Sequence, residues 1–218
     1  MTTPEPGDSL EKVAAEIRIC QKCPLARTRI KAVPGDGPGD AEALFIGEGP
    51  GMQEDRVGRP FVGPAGQFLD ELLGSVDMTR SGVFVTNVVK CRPPENRDPA
   101  ADEIAACAPY LTRQLALIQP KVVVTLGKYS MSRFFPGEQI SKIHGRLRNI
   151  DGQAVLPLYH PAAALHRVEL RQTELLDFQQ VPMALEAARN QSGLPPAEAT
   201  KHNEPPPEQL SLFGSDTP

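Results

Sequence analysis

The chain has 218 residues, four cysteines and a formal net charge of −4, a length that suits one domain of about 180 residues plus tails. No stretch nears the roughly 18 apolar residues of a membrane span, and MTTPEPGDSLEK lacks the basic-then-apolar order of a signal peptide, so a cytoplasmic protein with no membrane partner is expected. The acidic total argues against nucleic-acid binding only until it is divided: residues 1–9 carry −2 and residues 190–218 carry −3, leaving a body near +1 whose local basic clusters must do any binding.

Residues 1–9 read as a disordered N-terminus. Ser9 to Cys20 then reads as an amphipathic helix, with Ser9 as N-cap and Leu10, Val13 and Ile17 at helical spacing. It leads into Cys20 and Cys23. Ala43 to Ile46 is a short apolar strand, and Gly47, Gly49 and Gly51 let the backbone turn sharply behind it. Glu48, Glu54 and Asp55 place carboxylates in and after that turn. Gly63 to Gly66 opens a helix whose free N–H groups would favour an anion. A Walker-type phosphate loop is disfavoured because the Gly-Lys-Ser/Thr ending is missing. A tight surface turn with solvated acids is the plain alternative.

Further strands are expected at Gly82 to Val89, Lys121 to Gly127 and Ala154 to His160, with helices near Gln67 to Val76, Pro99 to Ile118 and Lys128 to Phe135. Such alternation predicts an α/β fold with a parallel sheet covered on both faces. Ligands bind at the carboxyl ends of such strands. Those ends carry Glu48, Asn87, Gly127 and His160, so an acid, an amide and an imidazole would converge. Cys91 follows the second strand and Cys107 lies in the long helix, which accounts for all four cysteines. In a reducing compartment they suit zinc, a 4Fe-4S cluster or unligated places in the core, and spacing alone leaves the three open.

GEGPGMQEDRVGRPFVGPAGQFLD, TNVVKCRPPENRDP and YHPAA, with the four cysteines, resemble the family 4 uracil-DNA glycosylases from about Leu10 to Glu186. The resemblance implies a three-layer α/β/α sandwich on a four-stranded parallel sheet, spanning residues 10–189. It implies a 4Fe-4S cluster on Cys20, Cys23, Cys91 and Cys107, and a monomer acting on uracil-containing DNA at the nucleoid. By the same resemblance, Phe61 would stack on a flipped-out uracil, Asn87 would read its O4 and N3–H edge, and Glu54 would stand where thymine carries its methyl. His160 would donate to uracil O2 as the N-glycosidic bond breaks, Glu48 would orient the attacking water, and Gly49 would bring its N–H close to the base. The loop HPAAALHR would press into the minor groove, with Leu165 or Ala164 as wedge and His166 and Arg167 near phosphates. Lys142, Arg146 and Arg148 offer further phosphate contacts or simply a solvated face, and His144 a positional or phosphate-binding role. KCRPPENRDP has neither the basic insertion nor the histidine of the uracil-crosslinking relatives, so hydrolytic turnover is expected. A non-catalytic nucleic-acid or clamp-adaptor module is the reading from a different class.

From Asn190 to Pro207 the chain is too poor in apolar residues to offset the entropy of ordering, and it reads as a disordered tether. It ends in Gln209-Leu210-Ser211-Leu212-Phe213. That run looks like the five-residue motif by which bacterial repair proteins dock on the β sliding clamp, with Leu212 and Phe213 in an apolar pocket and Gln209 and Leu210 beside them.

Overall fold

A computed structural model describes residues 5–190 and 197–198. Helix α1 (Leu10–Ile19) starts as expected, with Ser9 Oγ accepting from the Lys12 N–H at 3.2 Å. The packed chain begins earlier than residue 10, because Arg113 pairs with Asp8 at 2.7 Å and also holds Glu16 of α1. The expected disorder of residues 1–4 lies outside the described residues.

Strands β1 (Ala43–Gly47), β2 (Phe84–Asn87), β3 (Val122–Leu126) and β5 (Gln153–Leu158) form the expected parallel sheet in the order β2-β1-β3-β5. Their apolar runs follow from burial on both sides. Leu44, Ile46, Val123 and Val155 point into one core, beneath α1 and α4 (Ala101–Ile118). Phe45, Val124, Leu156 and Leu158 point into the other, with Phe68 of α3 (Pro64–Gly74). The chain also forms three short helices, α2 (Met52–Val57), α5 (Lys128–Ser132) and α6 (Ile140–Ile143), and Met131 and Ile143 join the first core.

The sheet is wider than the four expected strands. β4 (Arg148–Ile150) pairs antiparallel with β5, and the two-residue β6 (Ala197–Glu198) runs parallel to β4. The tight turn before β5 is Asp151-Gly152, both at positive φ (48° and 86°), the conformation a two-residue hairpin demands. So part of the expected tether forms a strand, while residues 191–196 and 199–218, including the whole Gln209 to Phe213 run, lie outside the described residues.

Three more helices complete the second layer: α7 (Pro161–His166), α8 (Val168–Phe178) and α9 (Gln180–Asn190). The expected loop HPAAALHR is therefore a helix, begun by Pro161 at its first position, where the missing N–H costs nothing. Phe178 is fully buried and stacks on Phe45 of β1 with ring centroids 5.8 Å apart. Phe178→Ala should cost about 3–5 kcal/mol, measured as a lowered midpoint in urea unfolding.

Candidate functional site

The chain runs from β1 to β2 on one side and then back to β3 on the other, so the crevice at this switch lies beyond the carboxyl ends of β1 and β3. A pocket of about 580 Å³ opens there, lined among others by Glu48, Gly49, Glu54, Phe61, Asn87 and His160. The six expected pocket residues are thus brought together from three strand ends and the segment after β1.

Close backbone approach makes this possible. Gly47 and Asn87 are cross-strand partners, and a Cβ on Gly47 would lie 2.4 Å from Asn87 Oδ1 and 2.7 Å from Phe61 Cζ. Phe61 itself sits at φ 51°, over Gly66, where a Cβ would fall 1.8 Å from the Phe61 carbonyl oxygen. Beyond the strands the pairing continues, with Val88 and Val89 N–H groups donating to the Gly47 and Glu48 carbonyls at 3.0 Å each. The result is a fixed Asn87 side chain whose Oδ1 is buried without a partner among the described residues. Such an orphaned acceptor is costly unless something else donates to it.

His160 is the N-cap of α7, and its Nδ1 accepts from the Ala162 N–H at 3.1 Å, leaving the ring proton on Nε2. Burial lowers its pKa to about 4, although the Glu54 charge pulls the other way. At neutral pH it is therefore an uncharged N–H donor. Its ring stacks on Phe61 with centroids 5.5 Å apart, and Gly127, at φ 87°, leaves room for its Cβ.

The two carboxylates differ. Glu54 is buried, and its Oε1 accepts from the Val62 and Gly63 N–H groups at 2.9 and 2.8 Å. The anion expected at the start of the Gly63 helix is thus Glu54 itself, held inside the protein. Glu48 is half-buried, and burial pushes it up to about 7, the Asp98 charge adding to the rise and Lys128 opposing it. Asp98 in turn accepts from the Tyr129 hydroxyl. Because the folded pKa of Glu48 is raised, the stability tied to it is present at low pH and lost as pH rises through about 7.

Lys90 is an unforeseen member of this region. Fully buried, it donates from Nζ to Thr86 Oγ1, the Asn87 carbonyl and Gln114 Oε1 at 2.6, 2.7 and 2.7 Å. Pro93, Asn96 and Arg97 also line the pocket, which brings the loop after Cys91 to its mouth. The turn-rich run Pro93-Pro94-Glu95-Asn96, directly after the strand bearing Asn87, was the available signal.

The four cysteines line one small cavity at the edge of the first core. Three N–H groups point at their sulfurs: Arg29 Nη1 to Cys91 at 3.1 Å, the Lys90 N–H to Cys107 at 3.3 Å and the Lys22 N–H to Cys20 at 3.5 Å. Burial pushes the Cys91 thiol up to about 11 and raises Cys107 as well, and the Arg29 and Lys90 donors oppose that rise. Four sulfurs around one cavity are the donor set that a four-thiolate group takes.

The family model for the uracil DNA glycosylase superfamily matches residues 34–180. The chain is 48% identical over 188 residues to the type-4 uracil-DNA glycosylase of Saccharolobus solfataricus, covering 82% of this chain and 87% of that protein. It belongs to the type-4 uracil-DNA glycosylase family. Similar proteins of the same name in Archaeoglobus fulgidus and Thermotoga maritima are each 42% identical and are covered to 92% and 91% of their lengths.

The remaining expected contacts of this glycosylase-family chain divide by exposure. Ala164 is buried in the second core, which removes it as a wedge; Leu165, His166 and Arg167 are exposed, and Leu165 also lines the pocket. Lys142 and Arg146 are exposed, whereas Arg148 lies over the Phe135 ring and pairs with Glu138 at 3.4 Å. His144 bonds Asp177 through Nδ1 at 2.6 Å, a positional role. Gly47→Ala should drive Asn87 and Phe61 apart and cost about 1–3 kcal/mol in denaturant unfolding, with both side chains displaced in a crystal structure of the variant.

Proposed function

We propose that the protein flips uracil out of DNA and hydrolyses its N-glycosidic bond, beginning base excision repair at the nucleoid as a monomer. The observation that carries this reading is the unpaired, buried Oδ1 of Asn87 in a pocket walled by Phe61 and a neutral His160. Uracil N3–H would donate to that oxygen, and the Asn87 amide N–H to uracil O4. Cytosine has no N3–H and carries an amino group at C4, so it would lose the first bond and clash at the second. Phe61 supplies the stacking face and Glu54 the wall beside uracil C5, where thymine carries a methyl. Gly49 leaves its backbone open to the base.

As the bond breaks, negative charge grows on the uracil and positive charge on the sugar. His160 Nε2–H donates to O2 without first having to lose a proton, and Glu48 as a carboxylate orients water toward C1′ and favours the cationic sugar. Leu165 fills the gap left by the flipped base, with His166 and Arg167 on adjacent phosphates. Release of free uracil from a uracil-containing oligonucleotide tests the function; binding without release would refute it.

Two outcomes follow for the catalytic pair. His160→Ala should slow single-turnover release by about 100-fold or more. The rate should rise with pH through about 7 as Glu48 ionises, with no second limb from His160 above about pH 5, and Glu48→Gln should abolish that rise.

In this reading Cys20, Cys23, Cys91 and Cys107 hold a 4Fe-4S cluster whose chemistry is that of a cross-link between α1, the loop after β2 and α4. About four iron atoms per chain and an absorbance shoulder near 400 nm are expected of this cluster type; stoichiometric zinc without iron would overturn it. Gln209, Leu210, Leu212 and Phe213 would recruit the enzyme to the β sliding clamp. Removing residues 208–218 should abolish clamp binding in surface plasmon resonance and leave uracil release from short oligonucleotides unchanged.

A further inference from the structure

Helix α2 begins inside the pocket, whose lining includes Gly51, Met52, Gln53 and Glu54, and runs out to a solvent-facing end at Arg56 and Val57. Asp55 on this helix is buried, and its Oδ1 accepts from the Ile30 and Lys31 N–H groups at 2.9 and 3.3 Å. This stitch lays the segment after the Cys20 and Cys23 pair against α2. The stem of Lys31 passes close to the turn after the helix, 3.4 Å from where a Cβ on Gly58 would stand.

Three large apolar side chains are left out in solvent by this arrangement, Ile30 at 63% exposure, Val57 at 52% and Met52 at 44%. The exposed cations Lys31 and Arg56 stand among them. Neither forms an ion pair among the described residues, whereas nearby Arg59 is committed to Asp36 at 2.7 Å and Arg29 to Cys91 and the Arg18 carbonyl. The one carboxylate in the stitch, Asp55, is turned inward onto backbone N–H groups. The strip therefore presents positive charge on an apolar ground, continuous with the pocket mouth.

We propose that this strip is a second part of the DNA interface, on the side of the pocket formed after β1, where Leu165 belongs to the side formed after β5. Lys31 and Arg56 would neutralise phosphates flanking the flipped nucleotide, and Met52 would pack against the adjacent sugar. Four helical residues advance about 6 Å, which puts Arg56 about two nucleotide rises from the pocket mouth. The inference rests on the glycosylase reading for its ligand, yet its test does not depend on turnover.

The experiment compares the full-length, cluster-loaded protein with the double variant Lys31→Gln, Arg56→Gln, using fluorescence anisotropy on a uracil-free oligonucleotide across a salt series. Losing two phosphate contacts should reduce the slope of log Kd against log salt on a duplex by about 1.8. On a uracil oligonucleotide KM should rise while kcat and inhibition by free uracil keep their native values. Each single variant should show about half the change in slope, and a native circular dichroism spectrum and Tm establish that the variants are folded. A native slope in the double variant overturns the proposal. A native protein that binds DNA with the full slope but releases no uracil refutes the glycosylase reading and leaves the strip standing.

Discussion

The pocket depends on one buried amine, whose pKa burial pushes down to about 7. With three acceptors at 2.6 to 2.7 Å, Lys90 holds the peptide after Asn87, the Thr86 hydroxyl and Gln114 of α4 in a single arrangement. Gln114 and Thr86 both donate in turn to the Pro34 carbonyl, at 2.8 and 2.9 Å. The end of β2, the long helix and the segment entering the sheet are thereby locked together, and the Lys90 N–H also reaches the Cys107 sulfur. A buried Lys without such partners would be strongly unfavourable. Here it ties the Asn87 end of β2 and the Cys107 helix into one hydrogen-bonded unit.

Charge in the pocket differs from one side chain to the next. His160 is kept neutral by burial, Glu48 is held near the point of ionisation, and Glu54 is fixed by two backbone donors at the start of α3. Three titratable side chains around one cavity thus have three different electrostatic roles. The differences come from burial of the imidazole, from burial and then the Asp98 charge at Glu48, and from a pair of backbone N–H groups on Glu54.

Much of this was legible in the sequence because the parallel strands are apolar on both faces and end in polar residues. Ala43 to Ile46, Asn87 and His160 were found on those grounds. The long α4 was also visible, with a strong periodic pattern. The narrow β4 was missed, although Asp151-Gly152 is a hairpin turn signal, because Arg148 and Asn149 are polar and half-exposed. Helix α8 was missed because only Glu174 and Phe178 of its residues are buried, so its apolar spacing carries little signal. An anion was expected at the start of the Gly63 helix, and it is a side chain nine residues upstream, a pairing that local pattern does not disclose. Lys90 was unreadable for the same reason: its partner Gln114 is twenty-four residues away.

The three close glycines bear on how this pocket can change over generations. At Gly47, Gly66 and Gly127 even one methyl group would meet a neighbour at 2.4, 1.8 and 2.9 Å. Gradual enlargement of the side chains there is closed as a mutational route, since the first step already displaces Asn87, Phe61 or His160. Change is open instead in the loop carrying Asn96 and Arg97 or at Met52 and Gln53, exposed residues that line the same cavity. The inner wall of the pocket is held unchanging, and its rim is where variation can be tried.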